Sequence, residues 1–207
     1  MPFIDIVKLA ASDALAASKA ILKDPIGAPK SEYDRVGEKR SLALGLFLGV
    51  VFDLLVVLGV YLAAKPFLQM MSGNGGYGGR GGGEVSFSII IKLIIVALLP
   101  VGSLAVGSLA TRKVFGKAGG IGGDMLTAGV ALLPVGLVVL AFGILGMGNM
   151  EVSTALSVFA ATTMILVLYG GATRIATMSD RASCLVIPIW LLVAAYFTKI
   201  VMAAMVR

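Results

Sequence analysis

Five long apolar stretches constrain this chain more than any other feature. Each reaches the roughly 20 residues that a helix needs to cross the hydrocarbon core of a bilayer. Charged residues make up 14% of the 207-residue chain, against roughly 25% in a typical soluble domain. We therefore predict an all-α polytopic membrane protein, a bundle of five transmembrane helices. The predicted spans are residues 42–63, 88–110, 126–146, 154–173 and 182–206.

Lysines and arginines beside the spans predict the orientation, because they accumulate on the cytoplasmic side. The side that holds the N-terminus carries about seven of them and the opposite side three, so we predict a cytoplasmic N-terminus and an outside C-terminus. No cleavable signal peptide is expected, since residues 1–41 lack a continuous apolar core. The two sets are Lys39, Arg40, Arg112, Lys113, Lys117, Arg174 and Arg181 against Lys65, Arg80 and Arg207.

Composition excludes several functional classes. Histidine is absent and Cys184 is the only cysteine, which removes His-dependent triads, histidine metal sites and disulfide scaffolds. We predict no catalytic residues, no cofactor and no metal, and the charge pattern lacks the clustered basic face of a nucleic-acid-binding protein. The Gly-rich stretch 117–124 lacks the spacing of a phosphate-binding loop, and Asp124 is expected to cap the third span.

The first 41 residues precede the membrane domain, which we place at residues 42–207. Residues 2–23 have the periodicity of an amphipathic helix that ends at Pro25. This helix could lie on the membrane surface, pack on a partner or pack against the protein's own loops. Residues 31–40 are expected to form a solvated lead-in, and residues 73–83 a flexible linker. The apolar positions of the helix are Ile4, Val7, Ala11, Leu15 and Leu22.

Three charges lie inside predicted spans: Asp53, Lys92 and Lys199. Charged side chains within a membrane are candidates for functional sites and need partners. We predict that Asp53 faces the bundle interior and forms an ion pair with Lys92 or Lys199. In the alternative, both lysines extend to the interface and Asp53 stays neutral. Small residues that allow close helix packing share the faces of these charges, namely Gly45 and Gly49 in the first span and Ser103 and Gly107 in the second.

Prolines interrupt three of the spans, at Pro100, Pro134 and Pro188, the first two within repeated copies of ALLPVG. A proline frees a carbonyl and can kink a membrane helix. Such kinks are compatible with ordinary packing or with a cavity.

The sequence resembles the Yip-like superfamily of five-span membrane proteins. The likeness rests on ILKDPIGA (residues 21–28), GLFLGVVFDLL (45–55), DMLTAGVALLPVGL (124–137) and LYGGATRIATMSDRAS (168–183). The D-L-Y-G-P motif of eukaryotic members and the N-terminal zinc ribbon of many bacterial ones are missing. The resemblance implies a five-helix fold in a bacterial cytoplasmic (inner) membrane and a non-enzymatic role.

Three functional hypotheses follow. The first is a protein that organises the membrane or other membrane proteins, with the lipid bilayer, partner proteins or further copies of itself as partners. The second is a transporter or channel for a small solute or cation that uses Asp53. The third is a membrane enzyme acting on lipid, for which Asp124, Asp180 and nearby arginines would have to form a site.

Overall fold

A computed structural model describes residues 3–73, 87–115, 119–146 and 150–206, which form helices joined by turns, with no strand among them. The all-α prediction is confirmed. The predicted linker lies outside the described residues, apart from Gly73 at its start. The helices are α1 (Phe3–Lys23), α2 (Ala28–Val36), α3 (Glu38–Gly73), α4 (Phe87–Val114), α5 (Ile121–Leu145), α6 (Met150–Gly170, continued by a π-helical turn Gly171–Ile175) and α7 (Asp180–Val206).

Five of these helices are long and apolar enough to cross a membrane. Most begin a few residues before the predicted spans, because the helical backbone continues past the apolar stretch into polar flanks. The candidate membrane spans within these helices are Glu38–Ala64, Ile90–Val114, Ile121–Leu145, Met150–Ile175 and Asp180–Ala204.

The centre of the bundle is a close contact between α3 and α5, which run parallel. Gly45 lies on the backbone of α5 at Met125 and Leu126, and Gly129 in turn lies on the carbonyl of Gly45. The same arrangement recurs two heptads further along, where Gly59 of α3 lies on the backbone of α5 at Val139 and Leu140, and Gly143 of α5 lies on the backbone of Gly59. The two helices can approach this closely because glycine has no side chain to separate them.

Glycines repeat every seven residues along α5, at Gly122, Gly129, Gly136 and Gly143. Each of these glycines faces a residue of α3, and the facing residues are also seven positions apart: Glu38, Gly45, Phe52 and Gly59. A seven-residue repeat keeps one seam of each helix facing its partner when the helices cross at a small left-handed angle. The register of α3 against α5 is therefore encoded by glycine positions.

The bundle has two ends that differ in polarity. The near end, as we call it, holds α2, the first turns of α3, α5 and α7, and the last turns of α4 and α6. These helix ends contact one another. Gly120 lies beside Glu38, Gly123 lies beside Tyr33, and Arg112 donates a hydrogen bond to the carbonyl of Gly119. We call the opposite end the far end.

Residues 28–36 form α2, which includes part of the predicted solvated lead-in. Most of residues 31–40 are exposed, as predicted. Glu32 and Val36 of α2 are buried against the bundle. The helix ends at Gly37, whose φ of 75° is one that glycine adopts at little cost. Charges of both signs alternate here, and some of them also pair with one another, as Lys30 does with Asp34 and Arg35 with Glu32.

Gly129→Ala should destabilise the protein, because the added methyl group would lie 2.5 Å from the carbonyl oxygen of Gly45. Overpacking of this kind costs about 1–3 kcal/mol. The matched control is Gly102→Ala in α4, where an added methyl group meets nothing within 4 Å. Thermal unfolding in detergent should show a lower Tm for Gly129→Ala alone, and equal Tm values for both variants would contradict the packing described.

Candidate functional site

Asp53 lies near the middle of its span with its side chain inside the bundle, 5% exposed. Its neighbour Gly49, one turn earlier, packs against Val101 of α4, so this face of α3 is directed at α4. The Oδ1 atom of Asp53 is buried and has no hydrogen-bond partner. A polar atom in this state loses its hydration without compensation, which makes Asp53 an unusual residue in the core.

The predicted ion pair of Asp53 does not form: among the described residues, no salt bridge joins it to Lys92 or Lys199. Lys92 is exposed and too far along the bundle. Helix α4 runs antiparallel to α3, and its Val101 is level with Gly49. Lys92 comes nine residues before Val101 and is therefore level with Leu58, five residues beyond Asp53. At about 1.5 Å per residue this is an axial offset of roughly 7 Å.

Lys199 is also exposed, and it lies on α7 at the edge of a different cavity. That cavity is bounded by α4, α5, α6 and α7, with Pro100 and Leu132 in its wall. Asp53 belongs to α3, which contributes no residue to this wall. The three intramembrane charges are therefore three separate positions and not one site.

The small residues predicted to mediate packing face different neighbours. Gly45 lies on α5 and Gly49 on α4, as described above. Gly107 lies against the ring of Trp190 in α7, whose indole nitrogen donates a 2.8 Å hydrogen bond to Thr111. Ser103 is partly buried on α4. Gly45 and Gly49 thus allow α3 to pack between α5 and α4, and Gly107 allows α4 to pack against α7.

Asp124 does not cap α5, and the prediction that it would is wrong. The helix starts at Ile121, after Gly120, and the first turn has no side-chain cap. The Asp124 carboxylate instead accepts a 2.6 Å hydrogen bond from Ser108 and lies 2.9 Å from an Arg112 nitrogen, with both ends of this ion pair largely buried. Removing one partner from a buried pair leaves an uncompensated charge, so this pair fixes the α4–α5 connection.

A second group of ion pairs at the near end attaches the N-terminal helices to the bundle. Asp13 of α1 accepts hydrogen bonds from Arg35 of α2 at 2.8 Å and from Arg40 of α3 at 2.7 Å. Arg35 also bonds Glu32 within its own helix. Burial alone would raise the pKa of Asp13, but the hydrogen bonds from the two arginines outweigh it and hold this pKa below its ordinary value. The attachment is therefore complete above the ordinary pKa and weakens as pH falls through the lowered one.

The face of α1 that packs against the protein is not the predicted apolar face, for which the sequence leaves open the membrane surface, a partner or the protein's own loops. Ala14, Ala17 and Ile21 are buried, whereas Leu15 and Leu22 of the predicted apolar face are 65% and 75% exposed. The side chains of Ile4 and Val7 lie outside the described residues. The helix thus packs on its own protein with one face and presents leucines on another. Lys8, Lys19 and Lys23 are exposed on the same helix.

Each of the three intramembrane prolines lies inside a helix and lines an apolar cavity. Pro100 borders the cavity beside Lys199, Pro134 one beneath α1, and Pro188 one between α6 and α7. The ring of proline prevents the regular hydrogen bond and the close packing of its helix. Asp53 lines none of these three cavities.

Comparison with models of known protein families, with curated proteins and with solved structures finds no match to this chain.

Asp53→Leu should raise the stability of the protein. Leucine has the same branching as aspartate and removes the unpartnered oxygen, whose desolvation costs about 1–3 kcal/mol. Asp53→Asn keeps a polar group in the same place and should give a smaller change. Thermal unfolding followed by Trp190 fluorescence measures both, and a lower Tm for Asp53→Leu would mean that the carboxyl group has a stabilising partner.

Proposed function

We propose that this chain is a non-enzymatic integral membrane protein, similar to Yip-like proteins, that organises other membrane proteins through its N-terminal helices. The observation that carries the proposal is the fixed presentation of α1. The Asp13 ion pairs hold this helix to the bundle, yet Leu9, Leu15 and Leu22 remain exposed on it. An anchored helix with exposed leucines and lysines offers a preformed surface for a partner.

The proposed orientation places the N-terminus and the near end of the bundle on the cytoplasmic side of the membrane. The near end carries Lys39 and Arg40 at the start of α3, Arg112 and Lys113 at the end of α4, and Arg174 in the turn after α6. This concentration of positive charge favours the cytoplasmic side. A bacterial inner membrane is the location that the family resemblance implies.

A transporter or channel that uses Asp53 is the second candidate. In its favour, the carboxyl group is buried at mid-span without a partner for Oδ1, and such groups often lie on ion pathways. Against it, none of the three apolar cavities described above is lined by Asp53. The close α3–α5 contact further restricts movement beside this residue.

Site-specific photo-cross-linking in native membranes tests the proposal. A photoreactive residue at Leu15 should capture a discrete protein, whereas the same residue at Leu192, which is 70% exposed on α7, should capture lipid. Asp13→Asn should lower the yield at Leu15 by releasing α1. Asp34→Asn is the matched control, because Asp34 pairs with Lys30 at the exposed surface and such pairs contribute little. Capture of lipid alone at Leu15 would contradict the proposal.

A flux assay distinguishes the second candidate. Purified protein in liposomes should carry no proton or alkali-cation flux above the protein-free level. A flux that Asp53→Asn abolishes would replace the scaffold proposal with the transporter.

A further inference from the structure

The cavity beside Lys199 combines an apolar wall with a single cationic group. Its volume is about 460 Å³, within the range of roughly 300–1,000 Å³ that small-molecule sites occupy. Leu104 of α4, Leu132 of α5 and Met164 of α6 contribute to the wall, and α7 closes one side. Thr198 also lines it, but its hydroxyl already donates to the carbonyl of Ala194 at 2.8 Å. Lys199 is thus the group in this lining that can bind an anion.

Lys199 lies where a lipid headgroup would meet the cavity. It precedes the end of α7 at Val206 by seven residues, or about 10 Å along the helix, and its flexible stem can carry the ammonium group toward the far interface. No ion pair joins Lys199 to an acid in the described part of the chain. Its charge is therefore available to a ligand.

The length of the cavity fits one leaflet. Its α7 wall extends from Leu191 to Met202, which is about 16 Å at the rise of an α-helix. Half of a hydrocarbon core of about 30 Å is nearly the same length. From Lys199 to Leu191 this wall is about 12 Å long. An acyl chain whose phosphate is held at the outer end of the extended Lys199 side chain would therefore reach close to mid-bilayer at Leu191.

The volume argues against a protein helix as the occupant. A helix about 10 Å across and 16 Å long fills roughly 1,200 Å³, more than all of the open space between the walls, about 880 Å³. An acyl chain is much thinner and needs no polar partner below its headgroup, which matches a wall that is apolar except near Lys199.

We propose that this cavity binds an anionic phospholipid of the far leaflet, with one acyl chain between α6 and α7 and the phosphate at Lys199. The Lys199 ammonium selects net negative headgroups by charge, and the apolar wall selects the chain. Pro100 of α4 helps to keep the cavity open, because the helix cannot pack regularly around a proline ring. This site is independent of the surface that α1 presents.

Quenching of Trp190, the only tryptophan of the chain, tests the site in the full-length protein. Trp190 directly precedes Leu191 and is 4% exposed, so bulk lipid reaches it poorly. Phosphatidylglycerol or phosphatidylcholine with brominated chains is titrated into nanodiscs of unbrominated phosphatidylcholine. The phosphatidylglycerol should reach half-maximal quenching at about a fivefold lower mole fraction, as expected for one lysine near an anionic headgroup.

Variants separate the role of the charge from that of the cavity. Lys199→Gln should abolish the preference for phosphatidylglycerol, and Lys199→Arg should keep it. Lys92→Gln, at the other exposed intramembrane lysine, is the matched control and should leave the preference unchanged. Ala195→Phe, which fills the cavity from α7, should reduce quenching by both lipids. Equal quenching by both lipids in the wild type, or an equal loss in Lys92→Gln, would overturn the proposal.

Discussion

The contact between the backbones of α3 and α5 is the constraint on which the rest of this bundle depends. Inside a membrane, apolar side chains gain little by leaving lipid for protein, so helices associate mainly through close packing. Gly45 and Gly129 meet backbone to backbone, and Gly59 and Gly143 do so again two heptads along. Two parallel helices are thereby fixed in register over most of the bilayer thickness, and the other helices pack around them.

The polar contacts at the near end complete this frame without entering the apolar core. Asp124 and Arg112 close the α4–α5 connection, and Asp13 ties α1 to α2 and α3. The prolines have the opposite effect, because each leaves space beside its helix. The bundle thus combines a rigid pair of helices with looser α6–α7 packing, and the proposed lipid site lies in the looser part.

The sequence predicted the helices better than their contacts. Apolar length identifies all five long helices, since this feature acts locally. The four-residue spacing of small residues indicates Gly45 and Gly49, whereas the glycines from Gly122 to Gly143 repeat every seven residues and do not belong to that pattern. The failure of the Asp53–Lys92 pair has a different cause. Pairing depends on the axial offset and rotation of α4 against α3, which no local pattern specifies.

In-membrane disulfide cross-linking tests the α3–α5 register most directly. A Cβ built on Gly136 lies 3.4 Å from the Cβ of Leu55, close to the 3.5–4.5 Å typical of disulfides. With Cys184→Ser as background, Leu55→Cys with Gly136→Cys should cross-link within one chain upon oxidation. Leu55→Cys with Leu132→Cys, displaced by about one turn and on the wall of a cavity that α3 does not line, should not. Cross-linking of the displaced pair at an equal rate would contradict the register, and with it the parallel packing on which the account is built.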